Sequence, residues 1–281
     1  MSGGSPRRGL GVGFWLSITW LVLVVLVAVL APWLPLKDPT ENYLVRGERP
    51  PYSPSFTHWF GTDQDARDVF SRTAFGARTS LTIGFVAIAF GMVFGGVLGI
   101  LSGYFRGWTD RIASVVMLIL LSFPSLILAI LITALLDRGL FTIAVTLGIL
   151  AIAPVGRLAR AATLTFAERE FVTAARAVGA SHRRIIVREL LPNVIIPMAA
   201  LSLLGMAIAI VAEGGLAFLG LSVDEGVTWG KLILLGAGTR DLERAPWISF
   251  GPIGVLFVTV LALNYAGDRL RDYFDVKEIS L

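Results

Sequence analysis

The sequence predicts an all-α membrane protein with six transmembrane helices. Both termini lie on the cytoplasmic side, and a pair of short cytoplasmic helices sits between spans four and five. Three observations carry this. Charged residues make up 16% of the 281-residue chain and hydrophobic ones 55%, with a mean hydropathy of +0.76, whereas a soluble domain is about a quarter charged. Six apolar blocks approach or exceed the ~20 helical residues that cross a bilayer core. The basic residues gather at alternate ends of those blocks, as a topology signal requires.

The elements follow in order. Residues 1–12 form a tail carrying Arg7 and Arg8, and residues 13–31 the first span. That apolar run is longer than a signal-peptide core, and Pro32 follows the one plausible cleavage residue, Ala31, so the span is read as a retained anchor. Residues 32–80 form an extracytoplasmic segment with prolines at 35, 39, 50, 51 and 54, which favour extended and turn structure. Within it Val69, Phe70, Ala74 and Phe75 suit a short amphipathic helix leading into span two.

Residues 81–266 hold the remaining five spans: 81–103, 112–136, 141–155, 195–219 and 248–266, the one at 141–155 being the shortest. Span two carries Gly91, Gly95, Gly99 and Gly103 at intervals of four, one step after Ala87. This puts all five on one helix face open to close backbone approach. Packing within this chain and packing against a partner subunit both fit that face. The loop at 220–247 contains a short apolar run, 232–235, too brief to cross the bilayer and suited to the interface or to capping an opening. Residues 267–281 form the second cytoplasmic tail.

With the N-terminus inside, 14 of the 24 Lys and Arg residues fall on the cytoplasmic side and 10 on the other, for net charges of +6 and −2. The positive-inside rule favours this orientation. The chain contains no cysteine, which excludes disulfides and thiol-based metal or redox sites. The net charge of +4 sits beside apolar spans, so nucleic acid is a poor explanation for it.

Between spans four and five lies FVTAARAVGASHRRIIVRELLP, residues 171–192. From 167 to 178 the composition favours helix, with Phe171, Ala174, Ala175 and Val178 on one small-residue face and Arg169 and Arg176 on the other. Gly179 stands where a helix ends with positive φ, and Ser181 is placed to cap the next helix, which is expected to stop at Pro192. The result is a hairpin of two short helices. Two readings fit it: a basic amphipathic helix on lipid headgroups, or a small-residue surface that fits a groove on another protein.

These residues resemble the coupling motif of permease subunits of ABC-type importers, E-A-A-x-x-x-G followed by Leu-Pro. Ala174, Ala175, Gly179, Leu191 and Pro192 match, and Thr173 stands where the glutamate is usual. HWFGTDQDARDVFSR, residues 58–72, is similar to the G-T-D-x-x-G-R-D segment of the dipeptide, oligopeptide and nickel branch, with Ala66 in place of its usual glycine. AEGGLAFLGL (212–221) and NYAGDRLRDYFD (264–275) also resemble that branch, and the long first span its second, C-type permease.

The resemblance implies a bacterial inner-membrane permease importing di- or oligopeptides, with nickel or another small solute as the alternative. Its implied partners are a second homologous permease, two ATPase subunits carrying ATP and Mg, and an extracytoplasmic solute-binding protein, all in or on a lipid bilayer. The implied coupling element, 167–192, comprises Phe171, Thr173, Ala174, Ala175, Arg176, Gly179, Ala180, Ser181 and Pro192. It would dock in a cleft of an ATPase.

No phosphate-cradling G-x-x-x-x-G-K-[ST] is present, and no catalytic or metal-binding constellation, so no bound cofactor and no enzyme activity is expected of this chain. An ion-gradient-driven secondary transporter would instead need ionisable groups near mid-membrane. Glu213 is the one acid well inside a span. It is either a structural hydrogen-bonding group or part of the translocation path. Asp63, Asp65, Arg67 and Asp68 read as a solvated, turn-rich loop, which the resemblance alternatively places near an extracellular solute-binding protein or a partner subunit's outer surface.

Overall fold

The computed structural model describes residues 10–279, with side chains through residue 274. Arg7, Arg8 and most of the N-terminal tail lie outside the described residues, as do the side chains of Asp275 and Lys277. Among the described residues all regular structure is helical apart from one isolated bridge between Thr62 and Asp68. Five helices are long and apolar enough to cross a membrane, or six if one bent pair is a single span.

The first span is α1, Gly11–Leu30, which packs on the rest through Phe14, Val24 and Ala28 and leaves most of its surface exposed. The short amphipathic helix expected before span two is not separate. It is the first turns of α2, Val69–Phe105, a continuous helix of 37 residues. Asp68 caps it, accepting from the Ser71 N–H at 2.8 Å.

The largest departure from expectation is span three. The block 112–136 breaks into α3, Gly107–Ser122, and α4, Ser125–Leu135, bent by 83°. Phe123 is extended, with ψ 132°, because the following Pro124 ring disfavours helical backbone before it.

Span four is longer than its apolar core. α5, Leu140–Ala167, continues twelve residues past Val155. It lies along α2, and the glycine face meets it directly. Gly91 faces Ala151, Gly95 and Gly99 face Ile152 and Gly156, and Gly103 faces Arg160 and Thr163. A side chain at Gly95 or Gly99 would collide with α5 backbone. At the α5 end the Asp110 carboxylate of α3 accepts from Arg160 Nε and Nη2 at 2.5 and 2.7 Å.

After α6, Glu170–Ala177, the chain enters one unbroken helical run, His182–Phe218. It comprises α7 (His182–Arg184), a π-helical stretch (Ile185–Leu190) and α8 (Leu191–Phe218). The helix therefore does not stop at Pro192. That proline sits in the first turn of α8, and the widened turn just upstream gives its ring room where an α-helical carbonyl would clash.

In the run 232–235 Leu232 is buried, while Leu234 and Leu235 are exposed. The run belongs to α9, Trp229–Leu235, whose Trp229 and Leu232 are buried. Trp229 Nε1 donates to the Thr73 carbonyl and its backbone N–H to Ser80 Oγ, both at 3.0 Å. α10, Thr239–Arg244, and α11, Trp247–Ile279, complete the fold.

The bundle thus has two dissimilar ends. One carries residues 32–68, α9 and α10, and the other carries the α6–α7 hairpin.

Candidate functional site

The hairpin is built from local chemistry. α6 closes with two crossed bonds: Ala180 N–H donates to the Ala175 carbonyl and Gly179 N–H to the Arg176 carbonyl, each at 3.0 Å. This is a Schellman closure, which needs a left-handed residue, and Gly179 supplies it with φ +77°. Two residues on, Ser181 Oγ accepts from Arg184 N–H at 3.4 Å and starts α7.

The buried side of α6 differs from the face the spacing picks out. Val172 is fully buried and Ala175 packs behind it, in a cluster with Tyr104, Phe166, Ile185 and Leu190. Phe171, Thr173, Ala174, Arg176, Gly179 and Ser181 are exposed, as is Pro192, while Ala180 is half-buried. Val178 is 83% exposed and Phe171 37%. The hairpin therefore presents a shallow apolar surface of small side chains, with Arg176, Arg183 and Arg184 around it.

Sequence reasoning missed three residues here. Val172 supplies the inner face. Tyr104, at the end of α2, shares a 2.8 Å hydrogen bond with His182 Nδ1 and lies under the Arg176 guanidinium, 5.4 Å from its ring centre. Nothing in the local pattern at residue 104 signals a partner 78 positions away.

A cavity of about 430 Å³ lies within the bundle between α2, α4, α5 and α8. Ile88, Leu147, Leu150, Leu204 and Ile208 are among its walls, and Ser125 is its one polar side chain. Glu213 is not on it. Glu213 is 1% exposed and faces the loop before α9 instead, where its Oε1 accepts from Ser222 Oγ at 2.5 Å. Its Oε2 has no hydrogen-bond partner among the described residues. Among them, too, no group of three His, Asp or Glu side chains is placed to hold a metal.

The loop read as solvated is so only at Asp65 and, in part, Arg67; Asp63 and Asp68 are buried in a tight structural knot. Asp63 is 1% exposed, pairs with Arg72, and accepts from the backbone N–H groups of Asp65 and Arg67 at 3.0 and 2.9 Å. Asp68 pairs with His58 Nδ1 at 2.8 Å. Ala66, at the position where the resemblance has glycine, takes φ +61° and is fully buried.

These features define a helical membrane permease with an exposed hairpin at one end. Residues 95–278 match the family described as binding-protein-dependent transport system inner membrane component, and the chain belongs to that family. It is a permease subunit of an ABC importer and a multi-pass protein of the bacterial inner membrane.

It is 36% identical over 93% of its length to the dipeptide transport system permease protein DppC of Alkalihalophilus pseudofirmus, covering 86% of that protein. It is 34% identical over 92% of its length to the glutathione transport system permease protein GsiD of Pectobacterium atrosepticum, covering 85% of it. An inward-facing structure of the MetNI methionine ABC transporter shares its fold at TM-score 0.57 and 19% identity, covering 73% of this chain and 97% of that one.

Proposed function

We propose that this permease imports short peptides, with a second, similar permease beside it, two ATPases of which one docks on this hairpin, and a solute-binding protein delivering at the opposite end. One observation carries the docking reading: Phe171, Ala174 and Val178 stand exposed on a hairpin locked in shape by the Gly179 bend. A rigid, small-residue surface rimmed by arginines suits the cleft of a partner whose rim is acidic. The basic excess beside the hairpin supports a cytoplasmic position, where ATP is available.

Peptide import rests on the two relatives, one named for dipeptides and the other for glutathione, itself a peptide. The cavity supports a division of labour. Its walls carry no ionisable side chain, so selectivity falls mainly to the binding protein, and the ion-coupled alternative lacks the mid-membrane titratable groups it would use. ATP-driven closure of the ATPase pair moves the hairpin, and the bundle switches between outward- and inward-open states.

The test is Gly179→Val. A Cβ at Gly179 meets nothing within 4 Å, so the substitution acts through φ alone, which a β-branched residue resists. Peptide uptake and co-purification of the ATPases should both fall by about tenfold or more, given the 1–3 kcal/mol such strain involves. Wild-type values for both would refute docking through this bend.

A further inference from the structure

The hairpin is joined by covalent chain to α5 on one side and α8 on the other, but α2 reaches it only through side chains. Tyr104 makes that contact. It is 8% exposed, in the last turn of α2, and it engages both arms of the hairpin at once. Its hydroxyl shares the 2.8 Å hydrogen bond with His182, the first residue of α7, and its ring lies under Arg176, in the last turn of α6. Phe105 flanks His182 at 5.6 Å between ring centres.

From Tyr104, α2 runs 37 residues, about 55 Å at the α-helical rise, to the end where Trp229 and Asp68 hold it. Along the way Ala87 and Ile88 line the cavity. The glycine face leaves no compliant side chains between α2 and α5, so displacement of the α2 end is carried along its length rather than absorbed.

We infer that Tyr104 and His182 are positioning residues that pass hairpin movement into α2 and so to the cavity wall. This rests on the docking reading above and goes beyond it. Without the link, α2 would follow a docked ATPase only indirectly, through its packing on α5 and α8, and its hairpin end would lose its direct polar tie to α7.

Tyr104→Phe keeps the ring under Arg176 and removes one hydroxyl, which leaves the fold intact. The readout is the labelling rate of Ile88→Cys, in a chain that has no native cysteine, within the assembled complex with and without ATP and Mg. ATP should change this rate in the otherwise unaltered complex. With Tyr104→Phe the change should shrink about fivefold, the factor that loss of one net hydrogen bond corresponds to, while ATPase co-purification and hydrolysis persist.

An asparagine amide reaches about as far as Nδ1 and can donate or accept, so His182→Asn should retain the response and His182→Leu lose it. A full ATP response in Tyr104→Phe, or the same response in the two His182 variants, would overturn the link while leaving docking intact. A wild-type assembly without any bound ATPase would remove the docking reading itself, and the link with it.

Discussion

The two ends of this bundle are built on opposite principles. At the end formed by residues 32–68, α9 and α10, polar groups are buried and matched. Asp63 with Arg72 and Asp68 with His58 tie the segment to itself and to the start of α2, and Trp247 Nε1, donating to the Thr62 carbonyl at 3.2 Å, joins it to α11. At the hairpin end the bend itself is shaped locally, and Tyr104 and the core cluster behind it tie its inner face to α2. A glycine bend and a serine cap shape α6 and α7, and the apolar side chains of Phe171, Val178 and Val187 face outward. Large apolar side chains are exposed at both ends, Phe56 and Trp59 at the first and Phe171 and Val178 at the second, so what sets the first apart is its buried polar pairing.

Asp63→Ala should break the first end most severely. It strands the Arg72 guanidinium, whose side chain is only 11% exposed, and two backbone N–H groups. Loss of one partner of a buried pair costs about 3–5 kcal/mol, readable as a large drop in melting temperature in detergent. Uptake should fall only as far as folded protein is lost.

Ala66→Gly sharpens the same comparison in the other direction. Ala66 holds a left-handed backbone that glycine adopts freely, so the substitution should stabilise by about 1 kcal/mol, or about 2–4 °C in a chain of this size. No gain in melting temperature would mean that relief of strain at φ +61° does not exceed the added unfolded-state entropy of glycine and the loss of a buried methyl.

Glu213→Gln should have the smallest effect. Glutamine Oε1 still accepts from Ser222, and the amide replaces an oxygen that has no partner. Stability within about 0.5 kcal/mol of wild type and unchanged peptide uptake are expected. A loss of uptake at normal expression would instead put Glu213 on the translocation path.

How much was legible in the sequence follows from the range of each interaction. Apolar length marked five of the spans well. The Gly179 bend and Ser181 cap could be seen because both are local backbone chemistry. Proline misled twice, in opposite senses. Pro124 breaks a run whose hydropathy is continuous, and Pro192 sits harmlessly in a first turn although it looked like a stop. Burial of Trp229 depends on partners about 150 residues away, and that of Asp63 on a turn that folds Arg72 back onto it; charge or local hydropathy at a single position reports neither. The same is true of Tyr104, whose partner lies across the bundle.

The central claim is that the hairpin is a surface meant to be covered. A single Val178→Cys in this cysteine-free chain tests it directly, because Val178 is 83% exposed and contributes to the α6 cap only through its backbone N–H, which the substitution keeps. The labelling rate with a membrane-impermeant thiol reagent should be high in inverted vesicles holding the permease alone. It should drop about tenfold once the ATPase subunits are bound, as a site leaving solvent for a packed interface core would. Labelling that proceeds equally fast with the ATPases bound would contradict the account.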